Sequence, residues 1–243
     1  MDPTSHRTRR VFLQSAALAS GGLLLAGRAA TGRADQPPPP NVAHNDPDEA
    51  DVSPAEDLMR EHGVLKRILL IYGESIRRLD AHEDLPPAAV ADSAQIIRSF
   101  IEDYHEKLEE DHLFPRFRKA GKLVDLVDVL QKQHEAGRKV TDTTLKLATP
   151  EALKNADDRA KLVTALREFI RMYSPHEARE DTVLFPAFRG LVSAHEYDSL
   201  GDDFEKREHE LFGSDGFEKM VDRVAGIEKT LGIYDLAQFT PRV

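Results

Sequence analysis

Apolar positions recur with a helical period over most of this chain, from about residue 55 to residue 231. Leu58, Leu65, Ile68, Leu69, Tyr72 and Ile76 fall on one stripe, which predicts a first helix ending near Leu79. Ser53 and Glu56, with Pro54 between them, supply its start signal. Pro86-Pro87 precedes a second helix, from about Ala88 to near Lys119, with Ile96, Ile97, Phe100, Ile101, Tyr104 and Leu108 inward. A third is predicted from about Lys122 to Leu147, then a short connection opened by Pro150. A fourth begins near Asp157 or Asp158 and runs through Leu162, Leu166, Phe169 and Ile170 to Arg189. Pro115 and Pro186 lie inside the helical pattern and are expected to kink or break it, and Pro175 to distort the fourth helix.

Set into this pattern are two copies of one polar motif. The first runs from His105-Glu106 through Glu109 and Leu113-Phe114-Pro115 to Phe117-Arg118; the second runs from His176-Glu177 through Glu180 and Leu184-Phe185-Pro186 to Phe188-Arg189. Aligned without a gap, they share His, Glu, Glu, Leu, Phe, Pro, Phe and Arg. Residues four apart lie on one helix face. His105 with Glu109, and His176 with Glu180, therefore each present an imidazole and a carboxylate in one direction. His62 and His134 add one histidine to each preceding helix, 43 residues before His105 and 42 before His176. The fold class expected is all-α: a four-helix up-down bundle of two duplicated helical hairpins, with four His and two Glu converging inside.

Beyond residue 192, helices are predicted from about Ala194 to Phe212 and from about Gly216 to Leu231. Val221, Val224, Ile227 and Leu231 keep the apolar period, so this appended hairpin either caps the bundle or mediates a homodimer. At the other end, Arg9-Arg10 followed by an apolar run from Ser15 to Gly27 reads as a twin-arginine export signal over residues 1–34. The run is shorter than the roughly 20 residues of a membrane span. The expectation is export to the periplasm or cell envelope, with no stable membrane insertion after cleavage. A Pro-rich acidic linker follows over residues 35–54, then the bundle over 55–192 and the helical extension over 193–243.

Composition narrows the chemistry. A formal net charge of −10 over 243 residues argues against nucleic acid as a partner. With no cysteine, thiolate zinc and cysteine-ligated iron–sulfur sites are excluded, so any metal must take nitrogen and oxygen ligands.

The duplicated His-x-x-x-Glu with Leu-Phe-Pro, and a His on each intervening helix, resembles the hemerythrin-like cation-binding family, also called HHE domains, over roughly residues 55–192. The resemblance implies a non-haem centre of two iron ions, oxo- or hydroxo-bridged, with manganese as the alternative metal. It implies reaction with dioxygen, peroxide or nitric oxide. It makes His62 and His105 ligands of one iron, His134 and His176 ligands of the other, and Glu109 and Glu180 the bridges. The oxygen carriers have two His one turn apart on the third helix, whereas here His134 is followed by Arg138. One iron then loses a ligand, gains an open position, or recruits Glu106 or Glu177. Asp181 rivals Glu180, since the carriers use that longer spacing. Ferritin-like ligation needs Glu-x-x-His on two helices; Glu102-x-x-His105 fits, but the second copy has Tyr173 at the matching place. His112, seven residues after His105, is too far along the axis to join the same metal and is left to a supporting, access or packing role. A non-enzymatic iron-binding or redox- and oxygen-sensing module is the alternative to a reactive centre. An unmetallated bundle would need another hydrogen-bonded account of its buried His and Glu.

Overall fold

The computed structural model describes residues 52–242, so the predicted leader and most of the linker lie outside the described residues. Every regular element among the described residues is helical. Helix α1 (Pro54–Asp80) starts where Ser53 Oγ accepts the Glu56 amide at 3.3 Å, with Pro54 in the first turn. Helix α2 covers residues 87–120 and α3 is Val124–Leu147. The short α4 (Pro150–Lys154) replaces the expected plain connection. Helix α5 covers residues 156–188 and is capped by Asn155, whose side chain accepts the amides of Asp157 and Asp158 at 2.9 and 3.0 Å. Helices α6 (Ala194–Phe212) and α7 (Gly216–Thr230) follow, with a final 3₁₀ turn at Leu236–Phe239.

The prolines are accommodated within their helices. Neither Pro115 nor Pro186 breaks its helix. Instead the turn before each widens to a π-helix, at Glu109–Leu113 and at Glu180–Leu184, and α-helix resumes at the Phe-Pro pair. Widening resets the hydrogen-bond ladder, so the amide that proline lacks falls where the ladder is already interrupted. A further π stretch spans Ile97–His105. Pro175 sits inside continuous α-helix, Ala156–Arg179, and the irregular turn comes only after it. The start of α3 is two residues later than predicted, because Gly121 and Leu123 take left-handed conformations (φ 63° and 50°) in the tight link from α2.

The long helices form a bundle: α1 packs on α2 and α5, and α3 packs on α2 and α5. Residues Leu58, Leu65, Ile68, Phe100, Leu130 and Phe169 are buried in the core between them. The α6–α7 hairpin lies against α1, and α7 also against α2. Phe212 sits edge-on to Phe100 and Tyr104, and Arg67 of α1 makes two hydrogen bonds to Glu228 of α7, at 3.0 and 2.5 Å. No helix among the described residues is long and apolar enough to cross a membrane.

Candidate metal centre

All six predicted ligand residues meet in the middle of the bundle, and all are buried. They form two groups, His62–His105–Glu109 and His134–His176–Glu180, each with one donor atom per residue lying within 4.8 Å of the others. The carboxylates cross between the groups. Glu180 Oε2 stands 3.4 Å from His62 Nε2 and 3.1 Å from His176 Nε2. Glu109 faces His105 Nε2 at 3.9 Å through Oε1 and His134 Nε2 at 3.4 Å through Oε2. Each glutamate thus serves one histidine from either hairpin, which is the arrangement a bridging carboxylate requires.

Each imidazole is turned inward by a bond to its outer nitrogen. His62 Nδ1 lies 2.7 Å from Asp181 Oδ1, His105 Nδ1 2.7 Å from Glu61 Oε2, His134 Nδ1 3.1 Å from Glu110 Oε1, and His176 Nδ1 2.9 Å from Gln133 Oε1. With the outer nitrogen donating, Nε2 keeps its lone pair toward the centre, the tautomer a metal needs. These partners obey the duplication: Glu61 and Gln133 each precede a site histidine, and Glu110 and Asp181 each follow one of the two crossing glutamates. Sequence reasoning passed over Glu61, Glu110 and Gln133, although their repeated places were a readable signal. Asp181 belongs to this supporting layer; Glu180 holds the inward place for which Asp181 was the rival. The motif phenylalanines also gain a purpose. Phe114 stacks on His134 and Phe185 on His62, each at 5.5 Å between ring centres.

Glu106 and Glu177, the reserve candidates, are buried and paired with other groups, although Glu106 and Glu110 also each bring a carboxylate oxygen within 4.8 Å of a His134 ring nitrogen. Glu106 accepts the Tyr173 hydroxyl at 2.6 Å and pairs with Arg138 at 2.7 Å; Glu177 pairs with Lys66 at 2.9 Å. Arg138 is thereby drawn away from the centre, to Glu106 and Glu110. His112 lies outside the site, its ring 5.4 Å from Phe204.

The electrostatics are those of an arrangement short of positive charge. Burial, reinforced by the Glu180 carboxylate beside it, pushes the Glu109 carboxyl well above the usual range. Burial also acts to raise Glu180, but His176 and His62 outweigh it and hold that carboxyl well below its usual range. Burial depresses His105, with His62 adding to it; His62 itself rises to about 9 because Asp181 and Glu180 overcome its desolvation. Apart from the imidazole nitrogens that face them, the four oxygens of Glu109 and Glu180 have no hydrogen-bond partner. Orphaned buried carboxylate oxygens are costly. Cations placed between them and the inward imidazole nitrogens would satisfy both. The donor set, four imidazoles and two carboxylates without sulfur, suits iron or manganese.

Comparison with known proteins agrees with this geometry. The profile of the hemerythrin HHE cation binding domain matches residues 53–188, more than half of the chain, and the chain belongs to that family. Uncharacterized proteins of Mycobacterium bovis and of Mycobacterium tuberculosis are each 50% identical over 236 residues, covering 96% of this chain and 91% of theirs. No solved structure matches the chain.

Proposed function

We propose that this protein holds a pair of iron ions in an up-down four-helix bundle formed by α1, α2, α3 and α5, and that the centre binds or reacts with dioxygen, peroxide or nitric oxide. The observation that carries the reading is the crossing of Glu109 and Glu180 between two histidine pairs whose outer nitrogens are all engaged. When bound, the metal pair supplies redox chemistry toward small oxidants. The chain's own residues do the rest. His62, His105, His134 and His176 would hold the metal through Nε2, and Asp181, Glu61, Glu110 and Gln133 fix their orientation through Nδ1. Phe114, Phe185 and the surrounding core keep bulk water from the site. The chain ahead of residue 52 is read as an export leader and linker, which would place the folded bundle in the cell envelope.

A second reading, an iron-holding or sensing module, draws on the link between Arg67 and Glu228. Arg67 lies just over one turn past His62, so a shift of α1 would be felt by the appended hairpin. The test is to reduce the iron-loaded protein anaerobically, expose it in turn to dioxygen, peroxide and nitric oxide, and follow the optical spectrum. A change with at least one of them, at constant metal content, is expected; a metal-loaded protein inert to all three would overturn the proposal. Turnover of the oxidant distinguishes a reactive centre from a reversible sensor.

A further inference from the structure

Lys66 and Arg138 occupy equivalent places, each four residues after a site histidine, and each pairs with the glutamate that follows the motif histidine of the other hairpin. Their surroundings differ. At the α2–α3 seam, Arg138 bridges Glu106 and Glu110, both at 2.7 Å; Tyr173 donates to Glu106, and Lys107 pairs with Glu110. The side chains of Arg138 and Glu110 are 22% and 8% exposed. At the α1–α5 seam the matching side chains, Lys66 and Asp181, are 61% and 34% exposed. Behind Lys66 lies Glu177, 1% exposed, whose Oε2 has no hydrogen-bond partner.

A buried carboxylate held by one solvent-exposed ammonium is poorly compensated. With the lysine side chain 61% exposed the pair is screened by water, and the lysine has a long flexible stem and a strongly hydrated head, so it leaves easily. The departing lysine uncovers a carboxylate that needs another cation. On α5, Glu177 neighbours both Asp181, four residues on, and Glu180, three residues on, and the three carboxylates grade from partly exposed to fully buried.

We propose that the α1–α5 seam is the passage by which divalent metal ions enter and leave the centre, with Asp181 and Glu177 taking the ion in turn and Lys66 swinging aside to admit it. This rests on the reading of the centre as a metal site. The equivalent α2–α3 seam stays closed even without Arg138, because Tyr173 holds Glu106 and Lys107 holds Glu110, and it does not conduct.

The test uses ferrous iron, supplied anaerobically to the metal-stripped full-length chain for uptake and withdrawn by a chelator for release. Loss of one weak ion pair should speed the Lys66→Met variant by about fivefold in both directions, because a lowered barrier acts on entry and exit alike. Arg138→Met should alter neither rate, and Lys66→Arg should be no faster than the wild type. Unchanged rates in Lys66→Met would overturn the passage, as would faster release with unaltered uptake, which reports affinity. Equal acceleration by Arg138→Met would also overturn it. Failure of the wild type to take up iron would sink the metal-centre reading and the passage together, whereas a wild type that loads iron beside an unaltered Lys66→Met sinks the passage alone.

Discussion

Around His62 and around His134 the chain repeats itself closely, and then the two regions part company. Both histidines face one of the two crossing glutamates, both are turned by a carboxylate from the opposite hairpin, and both carry a motif phenylalanine. Three residues past His62 comes buried Leu65; three past His134 comes Gly137. Seven past them come Leu69 and Thr141. The His134 side is therefore polar further in: the Tyr173 hydroxyl fits over Gly137 to reach Glu106, and Thr141 donates to Glu102 at 2.6 Å. The His62 side is aliphatic there. Duplication has been kept where donor atoms must converge and released one turn beyond, so shared residues mark the centre and unshared ones mark how its two sides differ.

The largest effect should fall on what both halves share. Glu109→Ala or Glu180→Ala is expected to leave roughly one metal ion or none per chain where the wild type holds roughly two; elemental analysis reads this directly, and full metal content in either variant breaks the assigned symmetry. Next, removing a supporting acceptor should weaken metal binding by about 10–100-fold. Glu61→Ala should lie at the upper end, since a charged acceptor backs His105, and Gln133→Ala at the lower end, since a neutral one backs His176. Competition with a graded series of chelators measures both.

Smaller effects separate the two sides. A Cβ at residue 137 would lie 2.1 Å from the Tyr173 hydroxyl oxygen, so Gly137→Ala should destabilise by about 1–3 kcal/mol. Adding Tyr173→Phe should recover part of that loss in a double-mutant cycle read by thermal unfolding. The smallest effect is a pH slope. Burial, with Glu106 adding to it, raises the Glu102 carboxyl to about 7 despite the Thr141 bond. The folded state therefore holds this proton more tightly than the unfolded chain. Its stability contribution is complete below about 4.5 and is lost as pH climbs through about 7. Glu102→Gln should flatten that part of the urea-unfolding profile, and an unchanged slope would show that another group is responsible.

Helices, duplication and the convergence of six buried His and Glu residues were legible because each leaves a mark in residue spacing. The supporting acceptors were harder to see. Glu61, Gln133 and Glu110 neighbour the ligands in sequence, and on an ideal helix one residue is about 100° of rotation, which directs attention away from them. They reach the outer nitrogens from neighbouring helices: Glu61 on α1 serves His105 on α2, and Glu110 on α2 serves His134 on α3. The π turns were illegible as such, since proline signals a missing donor and not how the ladder will absorb it. The unequal exposure of Lys66 and Arg138 depends on how neighbouring helices cover them, which residue type alone does not encode.

The central claim is that the buried His and Glu residues serve two metal ions shared between the hairpins. Its most direct test is the metal content of the full-length protein produced with iron in the medium, measured per chain by elemental analysis. Roughly two iron ions per chain is the result predicted by two crossed histidine pairs with bridging carboxylates. No iron, or about one zinc ion per chain, would contradict it.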